Sequence, residues 1–277
     1  MKKRRSQSAF TLLELLVSLA VVVLLALMLV QIVGWVSQSW VRGQQVKENM
    51  GKGRLALDLM ARDLKLGIFR PDLGAFVDAA GTPSGVSGNG NYCFFTAVTA
   101  DGKRQVSLVN FRRSAEGQLL RESLAVDWAG NPTPVISFGD RKIPAMANIG
   151  AQGSPGELVN GTLGFSMYFI NAKADGSGRT ITPDYQDNAT LRTEAVGIGL
   201  VVMDERAQRV LERTGRLGAI LSDPRWAPPA DLSQGLRGYW LQQVESLRSG
   251  TDLPQDVRTG LHVFESVVPL PPTVALQ

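Results

Sequence analysis

Apolar residues fill positions 10–36 almost without interruption, FTLLELLVSLAVVVLLALMLVQIVGWV, and the one ionisable side chain among them is Glu14. These 27 residues predict a helix of about 40 Å, longer than a hydrocarbon core of about 30 Å. The run exceeds the short apolar region of a secretory signal, and Trp35 and Trp40 near its far end suit an interfacial aromatic anchor. A carboxylate within such a span is costly, so Glu14 is a functional candidate that needs a partner.

Beyond Trp40 the pattern becomes helical and amphipathic. Val46, Met50, Gly53, Leu57, Met60, Leu64 and Ile68 recur at spacings of three and four, and Lys47, Arg54, Asp58, Arg62 and Lys65 take the other side. Gly43, Gly51 and Gly53 weaken helix propensity and predict a bend or break, and Pro71 is expected to end the element. Residues 74–91 predict a flexible connection. Strands are then expected over 92–98, 105–112 and 118–124, joined by turns at 100–103 and 115–117 as an antiparallel meander. Further strands are predicted at 161–171, 193–204 and 262–269, with a loop-rich stretch over 129–160. A rigid loop at 223–229 and a helix over 232–247 complete the pattern. The implied fold class is α+β, with a long N-terminal helix packed on an antiparallel sheet domain.

Charge sharpens the reading of the first segment. The 277 residues carry 29 basic and 25 acidic side chains, and four of the cations, Lys2, Lys3, Arg4 and Arg5, lie in the leader 1–9, which holds no acid. Without that leader the two signs balance. The basic excess is therefore a topology signal, placing the N-terminus in the cytoplasm and the bulk of the chain across the membrane. It is not a nucleic-acid footprint, and no nucleic-acid partner is expected.

Small-molecule chemistry finds little support. A single cysteine, Cys93, excludes an internal disulfide framework and reads as a buried thiol in a strand. His262 is the sole imidazole, in a strand-like Leu-His-Val-Phe, and reads as packed or solvated. Common zinc sites need more Cys and His than these two. No Gly-x-Ser-x-Gly elbow occurs, and no carboxylate spacing singles out an acid–base pair. Asp175, Asp184 and Asp187 share a polar loop whose Gly, Ser and Asp content is turn chemistry, although oxygen ligands of this kind also suit calcium. No cofactor or metal is assigned, and no enzyme activity is expected.

The short basic leader, the small residue Ala9, then Phe10-Thr-Leu-Leu-Glu14 and an apolar helix resemble the type IV prepilin signal of pilins and type II secretion pseudopilins. The resemblance implies cleavage by a prepilin peptidase between Ala9 and Phe10, and N-methylation of Phe10 by the same enzyme. It also implies that Glu14 neutralises the terminal amine of a neighbouring subunit during filament assembly. Ala9 departs from the family's usual glycine. The stretch 54–65 is similar to the larger minor subunits of the GspJ and PilW type, and the general layout to the Verru_Chthon cassette protein C family. On this basis residues 1–9 are a leader, 10–36 a transmembrane helix, 37–70 its amphipathic continuation and 71–277 a β-rich periplasmic or extracellular domain. Implied partners are the peptidase, other pilin or pseudopilin subunits, an inner-membrane assembly platform and the lipid bilayer. The alternative, from a different class, is a membrane-anchored periplasmic enzyme or binding domain that uses a pilin-type signal for export.

Overall fold

The computed structural model describes residues 12–69, 76–77, 83–84, 91–97, 106–126, 156–183, 185, 188–229, 231–232, 235–250 and 253–270. The chain forms two compact units, Met1–Glu48 and Asn49–Gln277. One helix, α1 (Leu12–Lys65), contributes to both. Of the bend or break expected at Gly43, Gly51 and Gly53, the break does not occur. The reason at Gly53 is packing: a Cβ there would lie 2.7 Å from Cε2 of Phe264, so the missing side chain admits an aromatic ring. The helix also ends before the residue 70 expected of it. The helix stops at Lys65, and the Ile68 N–H turns away to bond the Phe95 carbonyl at 2.8 Å. Pro71 lies outside the described residues.

In the second unit α1 buries Gly53, Ala56, Leu57, Met60, Asp63 and Leu64, and leaves Arg54, Asp58, Arg62 and Lys65 exposed. That split follows the predicted amphipathic pattern. Strands β1 (Phe76–Val77), β2 (Pro83–Ser84), β3 (Asn91–Thr96), β4 (Val106–Arg113), β5 (Leu119–Val126) and β6 (Gly156–Val159) form one antiparallel sheet, in the order β2-β1-β3-β4-β5-β6. The meander β3-β4-β5 is the expected one. The stretch expected to be a plain connection holds the two short strands β1 and β2, and the loop-rich stretch ends in β6. The β4–β5 hairpin turns at Gly117, whose φ of 78° favours glycine.

A second sheet has the order β10-β9-β7-β8, built from β7 (Thr162–Lys173), β8 (Arg179–Thr182), β9 (Leu191–Met203) and β10 (Leu261–Pro269). Its two long inner strands are buried over most of their length. On one face Phe165, Met167, Phe169, Val196, Ile198 and Leu200 pack with α1 and the first sheet. Tyr92 and Phe165 meet edge to face with centroids 5.3 Å apart. The other face is covered by helices α2 (Glu205–Arg213), α3 (Leu217–Leu221), α4 (Gly235–Ser249) and α5 (Gln255–Thr259). Of these, the sequence pattern predicts only α4, and the rigid loop contains the 3-10 turn Pro224–Trp226. Trp240 of α4 is fully buried against β7 and β9, where Gly164 and Gly199 clear its space; a Cβ on Gly199 would lie 2.6 Å from the indole. The architecture is α+β with antiparallel sheets, as the sequence pattern predicts.

Candidate functional site: the N-terminal apolar helix

The first unit is dominated by residues 12–41 of α1, a stretch long and apolar enough to cross a membrane. Every residue from Leu12 through Ser37 is exposed, with Leu13 at 72% and Trp35 at 68%. A soluble protein rarely presents so large a continuous apolar surface, because each buried Leu or Val would gain about 1.5–3 kcal/mol. Lipid or other helices are the media that suit it.

Glu14 sits in the first turn of this helix. There the N-terminal end of the helix dipole favours a negative charge, and the depth cost of a carboxylate is smaller than at mid-span. Lys2, Lys3, Arg4, Arg5, Ala9 and Phe10 lie outside the described residues, so the structure places only Glu14 among the predicted site residues. Trp40, at 70% exposure, lies near the far end of the apolar stretch.

Residues 4–30 match the model of the prokaryotic N-terminal methylation motif. The chain carries a type IV pilin-like prepilin signal. No curated protein and no solved structure shows a significant match to the chain. The motif covers the two arginines of the leader, the small residue Ala9, Phe10, Glu14 and most of the apolar helix. It is the kind of signal on which prepilin peptidases act.

The outer unit contains features that the sequence pattern does not point out. Asp63 on α1 is buried and accepts from Nε of Arg121 on β5 at 2.7 Å, an ion pair joining helix to sheet. Glu122 is also buried, and takes two bonds from Arg112 and one from Asn110 Nδ2 at 2.8 Å. Asp63 follows Met60 at a spacing of three, which is the only signal that would have put it on the packed face. Burial, with the Glu122 carboxylate second, pushes the Cys93 thiol far above its ordinary range, so it is a packed, unreactive group.

Among the described residues, the buried Nε2 of His262 has no hydrogen-bond partner. Desolvation holds its pKa below the ordinary imidazole value; Asp204 pulls it up and Arg248 pushes it down. It has no serine or carboxylate arranged as a catalytic partner among the described hydrogen bonds. Asp175 accepts the Ser177 N–H at 2.8 Å, which lowers its carboxyl pKa and is ordinary turn chemistry. Asp184 and Asp187 lie outside the described residues. A cleft of about 530 Å³ lies over β9 and the ends of β8 and β10, lined by Ile170, Ala195, Val267 and Pro269 with Arg179 and Glu194. Those last two bond each other at 3.0 Å across its rim.

Proposed function

We propose that this chain is a structural subunit, a minor pilin or pseudopilin, of a type IV pilus or type II secretion-like filament. The methylation motif over residues 4–30, with Glu14 in the first turn of an exposed apolar helix, carries the reading. A prepilin peptidase cuts between Ala9 and Phe10 and methylates the new terminus. The four leader cations hold the N-terminus in the cytoplasm, so the unit that begins at Asn49 lies on the far side, in the periplasm or on a cell-surface filament. The size of the outer unit, with two sheets and a helical layer, supports a larger minor subunit of the GspJ or PilW type.

The mechanism is packing. Processing removes all four leader cations and leaves one ammonium, on Phe10, a short way ahead of Glu14. An ammonium and a carboxylate are each expensive in an apolar bundle and tolerable together, so each Glu14 selects the terminus of a neighbour. The apolar surface from Leu12 onward then leaves lipid for the other helices of the filament core. An enzymatic reading of the outer unit draws less support: of the three charged residues that line its 530 Å³ cleft, Arg179, Arg192 and Glu194, the first and last pair with each other.

Co-expression with a prepilin peptidase tests the reading. The expected product is nine residues shorter than the precursor and begins with N-methyl-phenylalanine. Glu14→Ala is expected to be cut normally and to be lost from sheared filaments, as read by immunoblot. Normal incorporation of that variant would show that the carboxylate has another role.

A further inference from the structure

The outer strands of the second sheet, β8 and β10, present backbone groups in a complementary pattern. Along an antiparallel ladder, opposed residues alternate between pairs that exchange both backbone bonds and pairs that turn those groups outward. Leu270 N–H bonds the Glu194 carbonyl, and Asp204 N–H bonds the Gly260 carbonyl, so these opposed positions are of the bonded kind. The β10–β9 register runs between them without a shift. Val263, Glu265 and Val267 therefore turn their N–H and C=O groups to the open edge. The Leu261 carbonyl takes the Arg248 guanidinium at 3.0 Å, and Pro269 has no N–H, so the open stretch is 263–267.

Strand β8 follows the same alternation. Lys173 N–H bonds the Gly178 carbonyl, and the register places Ala172 opposite Arg179 and Ile170 opposite Ile181. Arg179 and Ile181 are thus the outward pair. Among the described residues no backbone group bonds these outward positions of either strand.

We propose that β10 of one copy of this chain takes β8 of a second copy as an added antiparallel strand. Setting Arg179 opposite Glu265 places Ile181 opposite Val263. Both pairs lie on the helix-covered face of the sheet: Ile181 and Val263 pack with its helical layer, and Glu265 accepts the Leu236 N–H at the start of α4. One cross-strand pair is oppositely charged, with Arg179 exchanging its exposed contact to Glu194 of its own chain for Glu265, and the other is apolar, the two combinations that favour pairing. Pairing of β10 with β10 would instead bring Glu265 against its own copy or beside it.

Strand direction agrees. Directions alternate across β8, β7, β9 and β10, so a β8 beside β10 continues the alternation. Copies anchored in one bilayer are held side by side, which rests on the chain being the anchored subunit proposed above. The contact is heterologous, with different surfaces on the two partners, and it propagates as a polar array.

Continued past the end of β8 into the β7–β8 turn, the register brings Ser177 to the level of Val267, both exposed, while the native Cys93 is buried. Full-length chains bearing Ser177→Cys or Val267→Cys are co-expressed, and the membranes oxidised and run on a non-reducing gel. The expected product is a 177–267 linked dimer, with a ladder when one chain carries both cysteines. Arg179→Pro should abolish the ladder, because it removes an outward N–H and a cation while sparing the β7–β8 bonds. Dimers linked 267–267 alone, all three linkages in equal yield, or no linkage overturn the proposal. The Glu14→Ala background, in membranes without an assembly platform, gives the same linkage if the edge contact is real, so loss of filament incorporation and loss of this contact are read separately.

Discussion

Asp63 shows how much one side chain can tie together. It lies on the packed face of α1 among Met60 and Leu64, and it is tolerable there because Arg121 reaches it from β5. Removing the cation strands a buried carboxylate, so Arg121→Ala should cost about 3–5 kcal/mol, measured as a lower denaturant midpoint of the purified chain in detergent. A loss under about 1 kcal/mol would mean that the pair behaves as a solvated surface contact. His262 gives a pH dependence of known sign. Its folded pKa lies below 6.5, so the unfolded chain binds the proton more readily, and this group's contribution falls as pH drops from 6.5 through the folded value. Thermal unfolding at pH 7 and pH 5 should show a smaller difference for His262→Gln than for the parent chain. An unchanged difference would assign the acid sensitivity to carboxylates instead.

Long elements with a steady period are legible in the sequence, and short or charged ones are not. The strands β3, β4, β5, β7, β9 and β10 each place Val, Phe, Leu or Ile in runs that no helix period explains. Strands β1 and β2 have two residues each, too few for alternation to show. Helix α2, Glu-Arg-Ala-Gln-Arg-Val-Leu-Glu-Arg, buries only Ala207 and Leu211, so its hydrophobic signal is two residues four apart. Its other signal is Asp204, which accepts the Ala207 N–H as an N-cap. The glycines of α1 mislead about a break for a physical reason. Propensity counts the entropy that Gly53 gives up, while the contact with Phe264 depends on the Cβ it lacks. At the N-terminal site the chemistry is legible from composition, because a lone carboxylate in an apolar run violates transfer energetics. The Asp63–Arg121 and Glu122–Arg112 ion pairs of the outer unit are not, because they join residues 58 and 10 positions apart in the chain.

At the scale of the molecule, two surfaces have different tasks. The apolar helix of the first unit supplies a surface that lipid or a helical bundle can satisfy, and Glu14 gives it a polar address at one end. The outer unit is held by its own two cores, one on each face of the β10-β9-β7-β8 sheet. In the proposed function, processing converts a charged, anchored precursor into a subunit whose new terminal ammonium is one that a neighbour's Glu14 can take up. The sharpest measurement is therefore the intact mass and N-terminal fragment spectrum of the chain from cells that contain a prepilin peptidase. Loss of residues 1–9 and a monomethylated amine on Phe10 are the expected result. A product that retains Lys2 through Ala9, or that is cut elsewhere, would contradict the prepilin function.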